Sequence, residues 1–99
     1  MNKIRTSYND MFYKAVLTLQ TPKECTAFFE DLCTAKEIQS MAQRLMVAQM
    51  LTENRIYSEI VAETGASTAT VSRVNRSLQD GNGAYTTVFA RLQKDNKDV

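Results

Sequence analysis

The chain has 99 residues, enough for one domain, and its 43% apolar and 23% charged content excludes general disorder. A formal net charge of +1 argues against nucleic acid held by bulk positive charge, so the distribution of charge matters more than its total. No apolar run approaches the roughly 18 residues needed to cross a bilayer, and Met1-Asn2-Lys3-Ile4-Arg5 leads into no apolar stretch, so neither a membrane span nor a secretory signal is expected.

Tyr8, Met11, Phe12, Ala15, Val16 and Leu19 form one helical stripe, predicting a first helix that ends near Gln20. Thr21-Pro22-Lys23-Glu24 reads as the next start: Thr21 caps, Pro22 suits the first turn and Glu24 completes a capping box. This second helix carries Ala27, Phe28, Phe29 and Leu32. Thr34-Ala35-Lys36-Glu37 repeats the signature, so a third helix begins at about Ala35 and runs to about Thr52. Its apolar residues, Ile38, Met41, Ala42, Leu45, Met46, Val47, Met50 and Leu51, occupy more than one face. A helix apolar on several sides is central, touching both its own fold and a second subunit. The three methionines read as flexible core filling rather than a ligand box.

Glu53-Asn54-Arg55 is a polar turn. A short fourth helix spans Ile56 to Thr64 and stops at Gly65. A fifth runs from about Thr68 to Gln79, with Val71, Val74 and Leu78 inward. Asp80-Gly81-Asn82-Gly83 is the clearest break, after which Tyr85, Val88, Phe89 and Leu92 mark a last helix. The tail from Lys94 to Val99 is expected to fray. No strand pattern competes, so the expectation is an all-α single domain over 1-99 of about six helices.

Two short helices meeting across Gly65 make a helix-turn-helix over about 57-78, with Ile60, Ala66, Val71 and Val74 as the small core between them. From Thr64 to Gln79 there are two arginines and no acid. The outward face is then Ser67, Thr68, Thr70, Ser72, Asn75 and Arg76, with Arg73 beside it. Short polar side chains allow close approach to a major groove, and Arg73 and Arg76 reach phosphates or a guanine edge. The competing reading is an ordinary bundle whose Ser/Thr-rich helix faces water. Those residues are mediocre helix formers, which favours a functional reason for them. Tyr57 either contacts a phosphate or packs.

The phrases FFEDLCT (28–34), MAQRL (41–45) and TGASTATVSRVNRSL (64–78) resemble the Trp-repressor superfamily, in particular its YerC/YecD-like branch, over roughly residues 8 to 92. The resemblance implies a Trp-repressor-like fold, an intertwined homodimer, and a bacterial cytoplasmic regulator that is nucleoid-associated when bound. Double-stranded DNA is the implied partner, read at two half-sites about one turn apart by the second helix of each motif. It also implies an effector pocket. The namesake's two sandwiching arginines match Arg44 and Arg73, its threonines match Thr34 and Thr70, and its serine matches Ser77. A one-residue length difference lies between Arg44 and Ile60, and Arg44 equally reads as a solvated helix residue. Val74 stands where the namesake has glycine, and Cys33 where it has a leucine. The valine fills space that an indole ring needs, so no tryptophan response is expected, and any effector stays open.

No cofactor and no metal are expected: Cys25 and Cys33 lie eight residues apart with no histidine in the chain, and read as free thiols in a reducing compartment. No phosphate loop, carboxylate dyad or activated thiol supports an enzyme. The rival to a DNA-binding regulator is a helical dimerisation or protein-interaction module with a vestigial motif.

Overall fold

The computed structural model describes residues 3–97, which form six α-helices and no strand. The elements are α1 (Lys3–Leu17), α2 (Pro22–Leu32), α3 (Ala35–Thr52), α4 (Tyr57–Thr64), α5 (Thr68–Asp80) and α6 (Ala84–Lys97). The chain divides into two compact units, Met1–Ile38 and Gln39–Val99.

In the first unit the helix starts follow from their caps. Thr21 Oγ1 accepts from Glu24 N at 3.1 Å with Pro22 in the first turn. Glu24 reaches back to Gln20 N, one residue before the cap, so the box is one step wider than expected. At α3 the box is complete: Thr34 Oγ1 accepts from Glu37 N, and Glu37 Oε1 accepts from Thr34 N at 2.8 Å. Phe28 and Phe29 are half-buried and meet edge to face with centroids 5.5 Å apart. None of this unit's described residues is fully buried. Tyr8, Met11, Tyr13, Leu17 and Leu32 are exposed, Leu17 to 83%.

The second unit holds the core. Val47, Ala48 and Met50 from α3, Ile60 from α4, Ala66 from the turn, and Val71 and Val74 from α5 are buried in one cluster. Leu51, Val61, Leu78, Tyr85 and Phe89 pack around it. The four residues expected to join the two short helices, Ile60, Ala66, Val71 and Val74, are all in this cluster. The mixed apolar pattern of α3 resolves into a buried side and an exposed one bearing Met41, Leu45 and Met46.

Boundaries differ from expectation in three places, each for a local reason. Helix α1 stops at Leu17 because Thr18 and Leu19 close three-residue hydrogen bonds to Ala15 and Val16, and the Thr18 hydroxyl also donates to Ala15 O at 2.7 Å. Helix α4 starts at Tyr57, since Ile56 is extended (φ −81°, ψ 156°). Helix α6 continues through Lys97 instead of fraying at Lys94, as no glycine or proline interrupts it. Met1, Asn2 and residues 98–99, parts of the expected leader-free start and frayed tail, lie outside the described residues. No helix among the described residues is long and apolar enough to cross a membrane.

Candidate nucleic-acid interface

The turn between α4 and α5 is set by three adjoining residues. Gly65 adopts φ 74° and its N–H donates to Val61 O at 2.9 Å, closing α4 in the left-handed conformation glycine tolerates best. The Thr64 hydroxyl donates to Ile60 O at 2.7 Å and accepts from Ala66 N at 3.1 Å, which steers Ala66 into the core. From α3, the Gln43 side-chain amide donates to Thr64 O at 3.0 Å. Ser67 then caps α5, its Oγ accepting from Thr70 N and donating to Thr70 Oγ1, both at 3.1 Å.

Helix α5 is sharply two-sided. Val71 and Val74 are buried, and Leu78, Thr70 and Asn75 are half-buried beside them. At 100° per residue the opposite face centres on Ala69 and Arg76, with Ser72 and Arg73 to either side and Thr68 at the start. All five are exposed. Among the described residues neither Arg73 nor Arg76 forms an ion pair. Of the residues singled out in the sequence, Thr68, Ser72, Arg73 and Arg76 stand on the free face. Thr70 and Asn75 flank the buried side, and the Ser67 and Thr70 hydroxyls are occupied in starting the helix. Ala69 escaped the sequence reading, because a small apolar residue there passes for core. Its position seven residues before Arg76 is the signal that places it outward.

The effector candidates fall into separate settings. Thr70, Arg73 and Ser77 follow one another along one flank of α5 at helical spacing. Ser77 is exposed and borders a cavity of about 210 Å³ with Leu78, Asn82, Tyr85 and Thr86. Arg44 is an exposed residue of α3. Thr34 belongs to the first unit, where its hydroxyl serves the α3 cap. Val74, 3% exposed, is part of the core with Ile60, Ala66 and Val71. Cys33 ends α2 as a half-buried free thiol, and Cys25 is an exposed one. No group of three acidic, Cys or His side chains suited to a metal ion occurs among the described residues.

Upstream of α4, Asn54 adopts φ 62°, and the N–H groups of Asn54 and Arg55 donate to Leu51 O and Met50 O at 3.0 and 3.1 Å. This pair of bonds is the Schellman closure of α3, with asparagine in the position usually held by glycine. It holds the Arg55 main chain against the end of α3 and directs the side chain along α4. Arg55 Nε lies 2.6 Å from Glu59 Oε2, and Nη2 bonds Glu63 Oε1 one turn further on. Hydrogen bonds to Glu59 and then Glu63 raise the guanidinium pKa above its already high ordinary value. Tyr57, the first residue of α4, is just exposed.

A family model described as Trp repressor protein matches residues 7–93. The uncharacterized protein YerC of Bacillus subtilis is 49% identical over 94 residues, covering 95% of this chain and 90% of its own. A TrpR-like protein from Eubacterium eligens has a crystal structure similar to this one at a TM-score of 0.88 with 50% identity, covering 94% of this chain and 96% of that one. A candidate Trp repressor from Staphylococcus aureus matches at a TM-score of 0.85 with 48% identity over the same shares.

Proposed function

Because the chain belongs to the Trp repressor family, in its YerC-like branch, we propose that it is a sequence-specific DNA-binding transcription regulator, a repressor, without catalytic activity. The observation that carries this reading is the outward face of α5. Ala69 and Ser72 are small enough for close approach to the major groove, and Arg73 and Arg76 stand beside them, with no ion pair among the described residues, on a helix packed into the buried cluster. Thr68, at the first turn, lies where recognition helices meet base edges. Ser67 and Thr70 fix the helix start, and with Asn75 they approach the sugar-phosphate backbone from the margins of that face.

A homodimer completes the reading. Tyr8, Met11, Leu17, Leu32, Leu45 and Met46 are exposed in the single chain. A second copy covers such large apolar side chains while supplying the second reading head. The protein acts in the bacterial cytoplasm, on the nucleoid when bound. Thr34, Arg44, Thr70, Arg73 and Ser77 remain the candidate set for an effector, and tryptophan is not that effector because Val74 occupies the required space.

The test is selection of genomic fragments by the purified protein, followed by titration of a recovered fragment at rising salt. Enrichment of a shared sequence with two related half-sites, and binding that falls steeply with salt, is the expected result. Light scattering at twice the chain mass accompanies it. Recovery of no shared sequence, with a well-folded dimer, leaves the interaction-module reading in its place.

A further inference from the structure

The helix-turn-helix has an electrostatic weakness that its sequence shows and its structure repairs. Between Tyr57 and Ser77 two glutamates, Glu59 and Glu63, stand against two arginines, Arg73 and Arg76. The motif alone is therefore neutral, a poor start for a surface meant to approach phosphates. Both glutamates lie on α4, which carries no base of its own. Among the described residues each has one cationic partner, and it is the same one: Arg55 bonds Glu59 through Nε and Glu63 through Nη2. The planar fork of a guanidinium makes such a double bridge possible where an ammonium cannot hold both in fixed geometry. The main chain of Arg55 is itself held by the Schellman bond to Met50 O, a core residue's carbonyl, so the bridge stands on the rigid end of α3.

We propose that Arg55 masks the acids of α4, so that Arg73 and Arg76 meet phosphate without opposition from Glu59 and Glu63. It is a positioning residue for DNA binding that touches no DNA. The inference rests on the DNA-binding reading above. Its distinguishing consequence is that Arg55 becomes dispensable once the two acids are gone.

The test uses a fluorescent duplex of mixed sequence and four full-length proteins: wild type, Arg55→Ala, Glu59→Gln/Glu63→Gln, and the triple variant. Affinity is read from about 50 to 200 mM salt, with circular dichroism as the check on folding. Arg55→Ala weakens binding about three- to tenfold at the low end, where exposed charges are least screened. The triple variant returns to wild-type affinity. The double glutamine variant, which keeps Arg55, binds at least as tightly as wild type and serves where Arg55→Ala does not fold. A triple variant as weak as Arg55→Ala overturns the proposal by making Arg55 a direct phosphate contact, and a double variant weaker than wild type overturns it by giving the two acids a favourable part in binding. Unchanged binding by folded Arg55→Ala overturns it as well. Wild-type protein that fails to bind duplex at low salt sinks the DNA reading itself, and the masking role with it.

Discussion

Gln43 donates its side-chain amide to the main-chain carbonyl of Thr64, 3.0 Å away and 21 residues on in the chain. The bond ties the middle of α3 to the last residue of α4, directly before the glycine that sets α4 against α5. The junction of α4 with the turn before α5 is therefore held by polar contact as well as by the apolar cluster. Gln43→Leu keeps the bulk beside Ala42, Met46 and Met50 but leaves a half-buried carbonyl without its partner. The expected loss is about 1 kcal/mol, the usual net worth of such a bond. In a domain of this size that lowers Tm by roughly 4–8 °C. Gln49→Leu, on the exposed side of the same helix, changes stability by no more than about 0.5 kcal/mol. Equal melting points for the two variants sink the assignment.

Gly65 and Gly81 resist substitution for different physical reasons. At Gly65 an added Cβ meets nothing closer than Gln43 Nε2 at 3.9 Å, but φ is 74°. Gly65→Ala therefore costs backbone strain alone, about 1–2 kcal/mol, and Gly65→Asn less, since asparagine tolerates that region. At Gly81 the added Cβ comes within 2.3 Å of Ser77 O. The colliding atom is main chain of α5, so the backbone must shift. Asparagine is then no better than alanine at Gly81, and chemical denaturation of the four variants checks the pattern. Rescue by asparagine at both positions would contradict the collision.

Much of this architecture is legible without coordinates, and the illegible parts share a cause. Val71, Val74 and Leu78 are readable as the inner face of α5 because their spacing follows the helical period, and Ile60 and Ala66 join them through the helix-turn-helix pattern around Gly65. Thr21 and Thr34 are readable as caps because the hydrogen bonds they make are local, three residues along the chain, whereas Ser67 reads as an outward polar residue until its bond to Thr70 N is seen. Ala69 is not readable as an outward residue until the inner face of α5 is known, for a methyl group suits either side. Thr70 and Asn75 look as free as Ser72 in a list of polar residues, and only the width of the buried face, which reaches Thr70 on one side and Asn75 on the other, puts them at the margin. Arg55 and Glu59 stand four residues apart, but in the sequence Arg55 reads only as part of a polar turn. The reach on to Glu63 depends on the Schellman closure that aims Arg55 along α4, and that closure depends on Asn54 taking a left-handed conformation few residues adopt.

Arg73 and Arg76 should behave differently. Arg76 shares the centre of the outward face with Ala69, whereas Arg73 stands toward the flank of Thr70 and Ser77. Arg76→Ala is expected to cost roughly 1–3 kcal/mol and to relax the choice of base at one position of the selected site. Arg73→Ala is expected to weaken all sequences alike and to lower the salt slope by about one. Competition between the selected fragment and mixed-sequence DNA separates the two effects. A double alanine variant that binds as well as wild type would remove α5 as the reading element.

Val74 sets the expected response to tryptophan. It is 3% exposed among Ile60, Ala66 and Val71, so its methyl groups belong to the packing that joins α5 to α4. An indole in the same volume forces that packing apart, and overpacking of this kind typically costs about 1–3 kcal/mol, or roughly ten- to hundredfold in affinity. The proposed matching of Arg44, Arg73 and Ser77 to a pocket for a zwitterionic amino acid is the reason to make the test. Calorimetric titration of the wild type with L-tryptophan should give no saturable heat, and DNA affinity should be the same with and without it. Val74→Gly opens the space and is the variant in which some binding is expected to return. It also loses core contacts and adds a glycine inside a helix, a combined cost of about 2–4 kcal/mol. Val74→Ala, which removes less and keeps helix propensity, is therefore run beside it to separate loss of fold from gain of a pocket. Micromolar tryptophan binding by the unmodified protein, coupled to tighter DNA binding, overturns this account of Val74.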